Sequence, residues 1–175
     1  MRTSSTTSET QLFKLKPISK EGIEASLGKA DQYRLLNQPR LAESICHDIL
    51  LINPDNHKAS IILLLALTDQ FGESSSKTAN QALTIAKGLK DDYSRIYYTG
   101  IVHERQGATA LKSGTPGSDF DAYEWYREAM EFYEKADAIN KDDNNDPILR
   151  WNTCARIIME SQLRERPTDN FPMLE

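Results

Sequence analysis

The sequence predicts an all-α fold, on three observations. From about residue 18 onward, apolar side chains recur at spacings of three and four, the period of an α-helix. No window sustains the apolar–polar alternation of a half-buried strand. The Gly, Pro, Asn, Asp and Ser clusters stand between the periodic segments and not inside them. Size and composition agree. A chain of 175 residues suits one domain, and 39% apolar with 27% charged residues suits a large solvated surface.

Residues 1–17 are polar, lack any pattern and end at Pro17, and they read as a disordered tail. Ser19 can cap a first helix running to about Asn37. Pro39 opens the second, at the position where its missing N–H costs nothing. That helix carries Leu41, Ala42, Ile45, Cys46, Ile49 and Leu50 on one spacing and stops at Asn53-Pro54-Asp55-Asn56. The third, about 57–71, is so apolar from Ile61 to Leu67 that most of its circumference must be covered. Gly72 and Ser74-Ser75-Ser76 end it, and a fourth helix spans about 77–90. Asp91 or Asp92 can cap a fifth that runs to about Lys112. Ser113 to Ser118 is the clearest loop in the chain. The sixth helix, about 120–141, shows Ala122, Tyr126, Ala129, Tyr133 and Ala136 in one stripe, with Trp125, Phe132 and Ile139 beside it. After the acidic break at 142–146, Asp146 and Pro147 make an N-cap and first turn for a seventh helix ending near Arg166. Residues 18–166 thus form one helical domain, and 167–175 a flexible tail.

Several functions are disfavoured. The net charge of −5 and a pI near 5.3 argue against a nucleic-acid binder. The longest apolar run is too short to cross a bilayer, so no membrane association is expected. With no apolar leader in the first residues, a cytoplasmic location is expected. Cys46 and Cys154 each sit in an apolar helical pattern and read as small core side chains. His47, His57 and His103 lack metal-binding spacing, and Cys46 and His47, being adjacent, diverge on a helix. Asp142, Asn144 and Asp146 have calcium-loop spacing. However, Pro147 stands where that loop needs Gly, and Thr153 where it needs Glu. No phosphate loop, nucleophile elbow or Cys–His dyad is found. The expectation is a protein that is not an enzyme, with no catalytic residues, no cofactor and no metal. The aromatic density from Tyr93 to Tyr133 is interleaved with Glu rather than Lys or Arg, and reads as packing between long helices.

The helices arrive in pairs. Counting back from Pro54, the residues Ile49, Cys46, Ala42, Asn37, Tyr33 and Ala30 fall at the offsets of a known repeat. The segment LGKADQYRLLNQPRLAESICHDILLINPDN resembles one tetratricopeptide (TPR) repeat, a helix–turn–helix of 34 residues. A second unit begins at His57, with Leu64 where the family prefers a small residue. In the third, Gly100, His103 and Gly107 match the first helix, and Ala129, Tyr133 and Ala136 the second. Between Gly107 and Ala129 lie 22 steps where the family has five, an insertion of 17 residues that contains the Gly/Pro/Ser loop. The resemblance covers about 23–141, as repeats at about 23–56, 57–92 and 93–141. It implies an α-solenoid, a right-handed superhelix of three helix pairs, with the helix at about 147–166 capping its end.

What the resemblance implies for function is non-catalytic protein–protein interaction. A concave apolar groove, lined by the first helix of each pair, would receive a partner peptide or helix. The inward positions are Leu27, Asp31, Arg34, Leu35, Ile61, Leu65, Tyr97, Ile101, Glu104 and Arg105. The family's carboxylate-gripping positions fall on Leu27, Asp31, Ile62, Ser94 and Tyr98, which lack the required cations and amides. Acidic chaperone tails are therefore not expected as ligands. The alternative is a regulatory domain with a small-molecule pocket between the long helices at 93–141. A homo-oligomerisation module is a third class, distinguished by size in solution.

Overall fold

The computed structural model describes residues 13–72, 76–141 and 144–167. They form seven helices and no strand: α1 (Ile23–Leu35), α2 (Pro39–Ile52), α3 (His57–Thr68), α4 (Ser76–Lys87), α5 (Asp92–Ser113), α6 (Ser118–Ala138) and α7 (Asp146–Glu160). The expected tails fall largely on residues 1–12 and 168–175, outside the described residues, as do Ser74, Ser75 and Asp142 of the expected breaks. Residues 13–17 have no regular structure and leave Phe13 and Leu15 exposed.

The helix boundaries follow local chemistry. The Gly22 amide donates to Ser19 Oγ at 3.2 Å, so Ser19 caps a turn and α1 proper begins at Ile23. Asn37 adopts a left-handed backbone (φ 57°) that ends α1, and the Gln38 amide closes back on the Tyr33 carbonyl at 2.8 Å. Two residues later, Pro39 starts α2. Asn56 caps α3 through Ala59 N, and Asp91 caps α5 through Ser94 N at 2.7 Å. The loop between α5 and α6 shrinks to four residues, with Gly114 and Gly117 both at positive φ. Most of the insertion therefore lengthens helices.

Several boundaries differ from expectation: α1 spans only Ile23–Leu35, and α3, α4 and α6 end at Thr68, Lys87 and Ala138 rather than about 71, 90 and 141. Asp146 is the first residue of α7 and not its cap; Asn144 Oδ1 accepts from its amide at 3.0 Å. Also, α7 stops at Glu160 rather than near Arg166. Gln162 turns left-handed (φ 52°), and Leu163 folds back to 8% exposure. The backbone turns at Gln162, and the Leu163 side chain packs into the second core cluster.

Each helix packs on the next in sequence, and α3 also touches α1 and α5. Burial divides into two clusters. One holds Leu27, Ala30, Ala42, Cys46 and Ile49 with α3 and α4; the other joins Tyr97, Ile101, Tyr126, Ala129, Tyr133 and Cys154. Leu65 and Tyr98 pack against both. The long α5 and α6 meet most intimately. A Cβ on Gly100 would lie 2.8 Å from the Tyr133 ring, and one on Gly107 3.1 Å from Tyr126. Those two rings fill the interface between the long helices.

Candidate functional site

Helices α1, α3 and α5 touch in turn, and the sequence-derived positions on them divide by exposure. Leu27, Tyr97, Ile101 and Glu104 are buried among the chain's own helices. Asp31, Arg34, Ile61, Leu65 and Arg105 are half-buried, while Leu35 is 87% exposed. The buried four support the surface from beneath and do not line an open groove. At the C-terminal end the burial comes from α6, whose Tyr133 ring lies 5.8 Å from that of Tyr97, and from Arg150 of α7, which reaches the Tyr97 hydroxyl.

A charge ladder crosses this face. Arg34 Nε donates to Asp69 Oδ2 at 2.9 Å, joining α1 to the end of α3. The other oxygen of Asp69 stands 3.8 Å from Arg105 Nη2, which brings in α5. One carboxylate thus serves two guanidiniums, and the second is held loosely. Three first helices, 35 and more residues apart in sequence, are tied by these side chains.

At the α5–α6–α7 junction lies a polar group that the sequence reading missed as a unit. Glu104 accepts from the Tyr133 hydroxyl at 2.5 Å and from Arg150 Nη1 at 2.8 Å. Burial, and then the adjacent carboxylate, push the Tyr133 phenol far above its ordinary range. Burial alone would lower the Arg150 pKa, but Glu104 more than restores its charge. Arg150 also reaches the Tyr97 hydroxyl. The network satisfies every member, which locks three helices in one register.

Reactive groups are otherwise quiet. Burial pushes the thiols of Cys46 and Cys154 up to about 12, so neither is a thiolate at neutral pH. His57, Asp91 and Ser94 converge, but Nε2 of His57 faces both Asp91 (3.6 Å) and Ser94 Oγ (3.5 Å). A proton relay needs those partners on opposite ring nitrogens. Asp91 itself is committed to capping α5. Among the described residues no three His, Cys, Asp or Glu side chains group as metal ligands, and no helix is long and apolar enough to cross a membrane.

Compared with known proteins, the chain matches no family model, no curated protein and no solved structure.

Proposed function

We propose that this protein is a non-catalytic binding module of TPR-like architecture: a right-handed α-solenoid of three helix pairs closed by α7. Its ligand is a partner peptide or helix laid across α1, α3 and α5. The observation that carries this reading is the Arg34–Asp69–Arg105 ladder, which ties α1, the end of α3 and α5 together. Beside the ladder, Ile61 is half-buried and Leu35 exposed, an apolar surface with fixed charges of the kind that receives anchors at helical spacing. Arg105, only loosely engaged by Asp69, suits an acidic side chain of the partner.

Tyr97 and Ile101 are core residues, so the test uses the accessible positions. The combined variant Leu35→Ser, Ile61→Ser and Arg105→Ser changes one residue on each first helix. Proteins captured from a cell extract by the purified wild-type chain should be lost from this variant, with the far-UV circular dichroism unchanged. If the same proteins remain bound, the binding surface lies elsewhere.

A further inference from the structure

The outer face of α6 is a second surface of different chemistry. Seven acidic side chains between Asp119 and Asp137 stand against Arg127 and Lys135 alone, so this helix carries the charge excess of −5 that the whole chain shows. Phe120, Tyr123, Trp125 and Phe132 are interleaved with them and half-buried, their rings rooted in the fold and still in reach of solvent. Acidic helix faces are commonly just solvated, so the charge alone assigns nothing. Three further observations do.

The chain seats its own guanidinium on this face. Beyond α7 it runs back over α6, anchored by Leu163, and places Arg166 over the Phe120 ring at 5.3 Å. The same guanidinium pairs with Asp121 and stands 3.7 Å from Glu124. Lys135 repeats the arrangement one ring further on, 5.1 Å above Phe132 and 4.0 Å from Glu131. A cation on an aromatic ring beside a carboxylate is thus formed twice along this helix.

Between the two lies a hollow of about 860 Å³, bordered by the rings of Tyr123 and Trp125 and by four glutamates, Glu124, Glu128, Glu131 and Glu165, against two arginines, Arg127 and Arg166. Beneath it sits His103, only 9% exposed and stacked at 5.3 Å on both Trp125 and Phe132. Its Nδ1 is aimed at Glu128, 3.2 Å away, but makes no hydrogen bond. Burial lowers its pKa, so at neutral pH it does not cancel the Glu128 charge.

We propose that this face is a docking surface for an arginine-rich segment of a partner polypeptide, whose guanidiniums stack on Tyr123 and Trp125 and pair with Glu124, Glu128 and Glu131, while Arg166 occupies one such place in cis. Arginine fits better than lysine, because a planar, weakly hydrated guanidinium can stack and pair at once. The surface lies on α6 and is independent of the α1–α3–α5 face.

The test titrates the full chain with an eight-residue arginine–glycine peptide and its lysine–glycine counterpart at 0.15 M salt, read by calorimetry. Binding should favour arginine over lysine at equal charge. The variant E124Q/E128Q/E131Q should weaken binding about tenfold, and R166A should strengthen it about threefold by freeing the occupied place. All three glutamates are exposed, so circular dichroism should stay unchanged. The proposal is overturned if neither the wild type nor R166A binds the peptide. It is equally overturned if neutralising Glu21, Glu24 and Asp55, exposed acids on or beside the first two helices, weakens binding as much as the α6 triple change.

Discussion

A buried histidine gives up its proton more readily than one in water. His103 lies between Trp125 and Phe132, both nearly parallel to it, and burial lowers its pKa below 6.5. Among its charged surroundings, Glu128 on α6 pulls the pKa back up, Lys87 on α4 pushes it further down, and Gln106 on α5 supports the charged form. The net shift is downward, so the unfolded chain binds this proton more readily than the folded one. Stability from keeping His103 neutral is therefore complete above pH 6.5 and is lost as pH falls through 6.5 toward the lowered value. Denaturant midpoints measured from pH 8 to 5 should decline in the wild type and decline less in His103→Phe. Parallel curves would show that His103 does not contribute. The adjacent Glu104–Tyr133–Arg150 group illustrates a limit of sequence reading at this scale, since its members are 29 and 46 positions from Glu104. Arg150 looks like one more polar residue on an amphipathic helix until α7 is packed on α6 and its side chain reaches Glu104 of α5.

At the level of elements, the decisive pair is α5 and α6. Gly100 and Gly107 give Tyr133 and Tyr126 their seats, and the rings in turn fill the space that two glycines leave. Gly100→Ala would put a methyl group 2.8 Å from the Tyr133 ring, whose hydroxyl is tied to Glu104 and cannot yield freely. We expect a loss of ~1–3 kcal/mol in thermal or chemical unfolding. Gly28→Ala is the internal contrast. It sits on an exposed helical position with nothing within 4 Å, and should stabilise by ~0.4–1 kcal/mol. Equal effects from the two changes would refute the close crossing. Helix boundaries are local in part: capping residues set the starts of α3 and α5, whereas α7 gives way to a left-handed turn at Gln162, after which Leu163 is buried.

For the molecule as a whole, α7 covers the end of the helical array. It brings Cys154 to zero exposure, sets Arg150 against Glu104, and reaches the Tyr97 hydroxyl through the same arginine. A chain truncated after Lys141 would uncover Tyr97, Ile101 and Tyr133 and strand a buried carboxylate, by mechanisms that together cost ~3 kcal/mol or more. Its melting temperature should fall sharply, and it should bind an environment-sensitive apolar dye. An unchanged melting temperature would mean that α7 is an appendage. The two candidate binding faces differ in what they require of the whole. The α1–α3–α5 face draws on three helices far apart in sequence, whereas the α6 face needs one helix and the segment that folds back over it.

Local information was enough to establish the all-helical class, the seven helices and most of their boundaries. Period, capping residues and breakers act over a few positions, and nothing in the packing opposed them. The lengthening of α5 and α6 was legible too, from helical residues on both sides of the Gly/Pro/Ser loop. Exposure was not. Tyr97 and Ile101 carry the same inward spacing as Ile61 and Leu65, and only the packing of α6 and α7 around them turns the first two into core. Nor could spacing reveal that Asp69 would serve both Arg34 and Arg105, or that Arg166 would return to lie on Phe120. Those pairings depend on the angles at which helices stack and on where the chain reverses, quantities set by side-chain volumes summed over the whole fold rather than by any one segment.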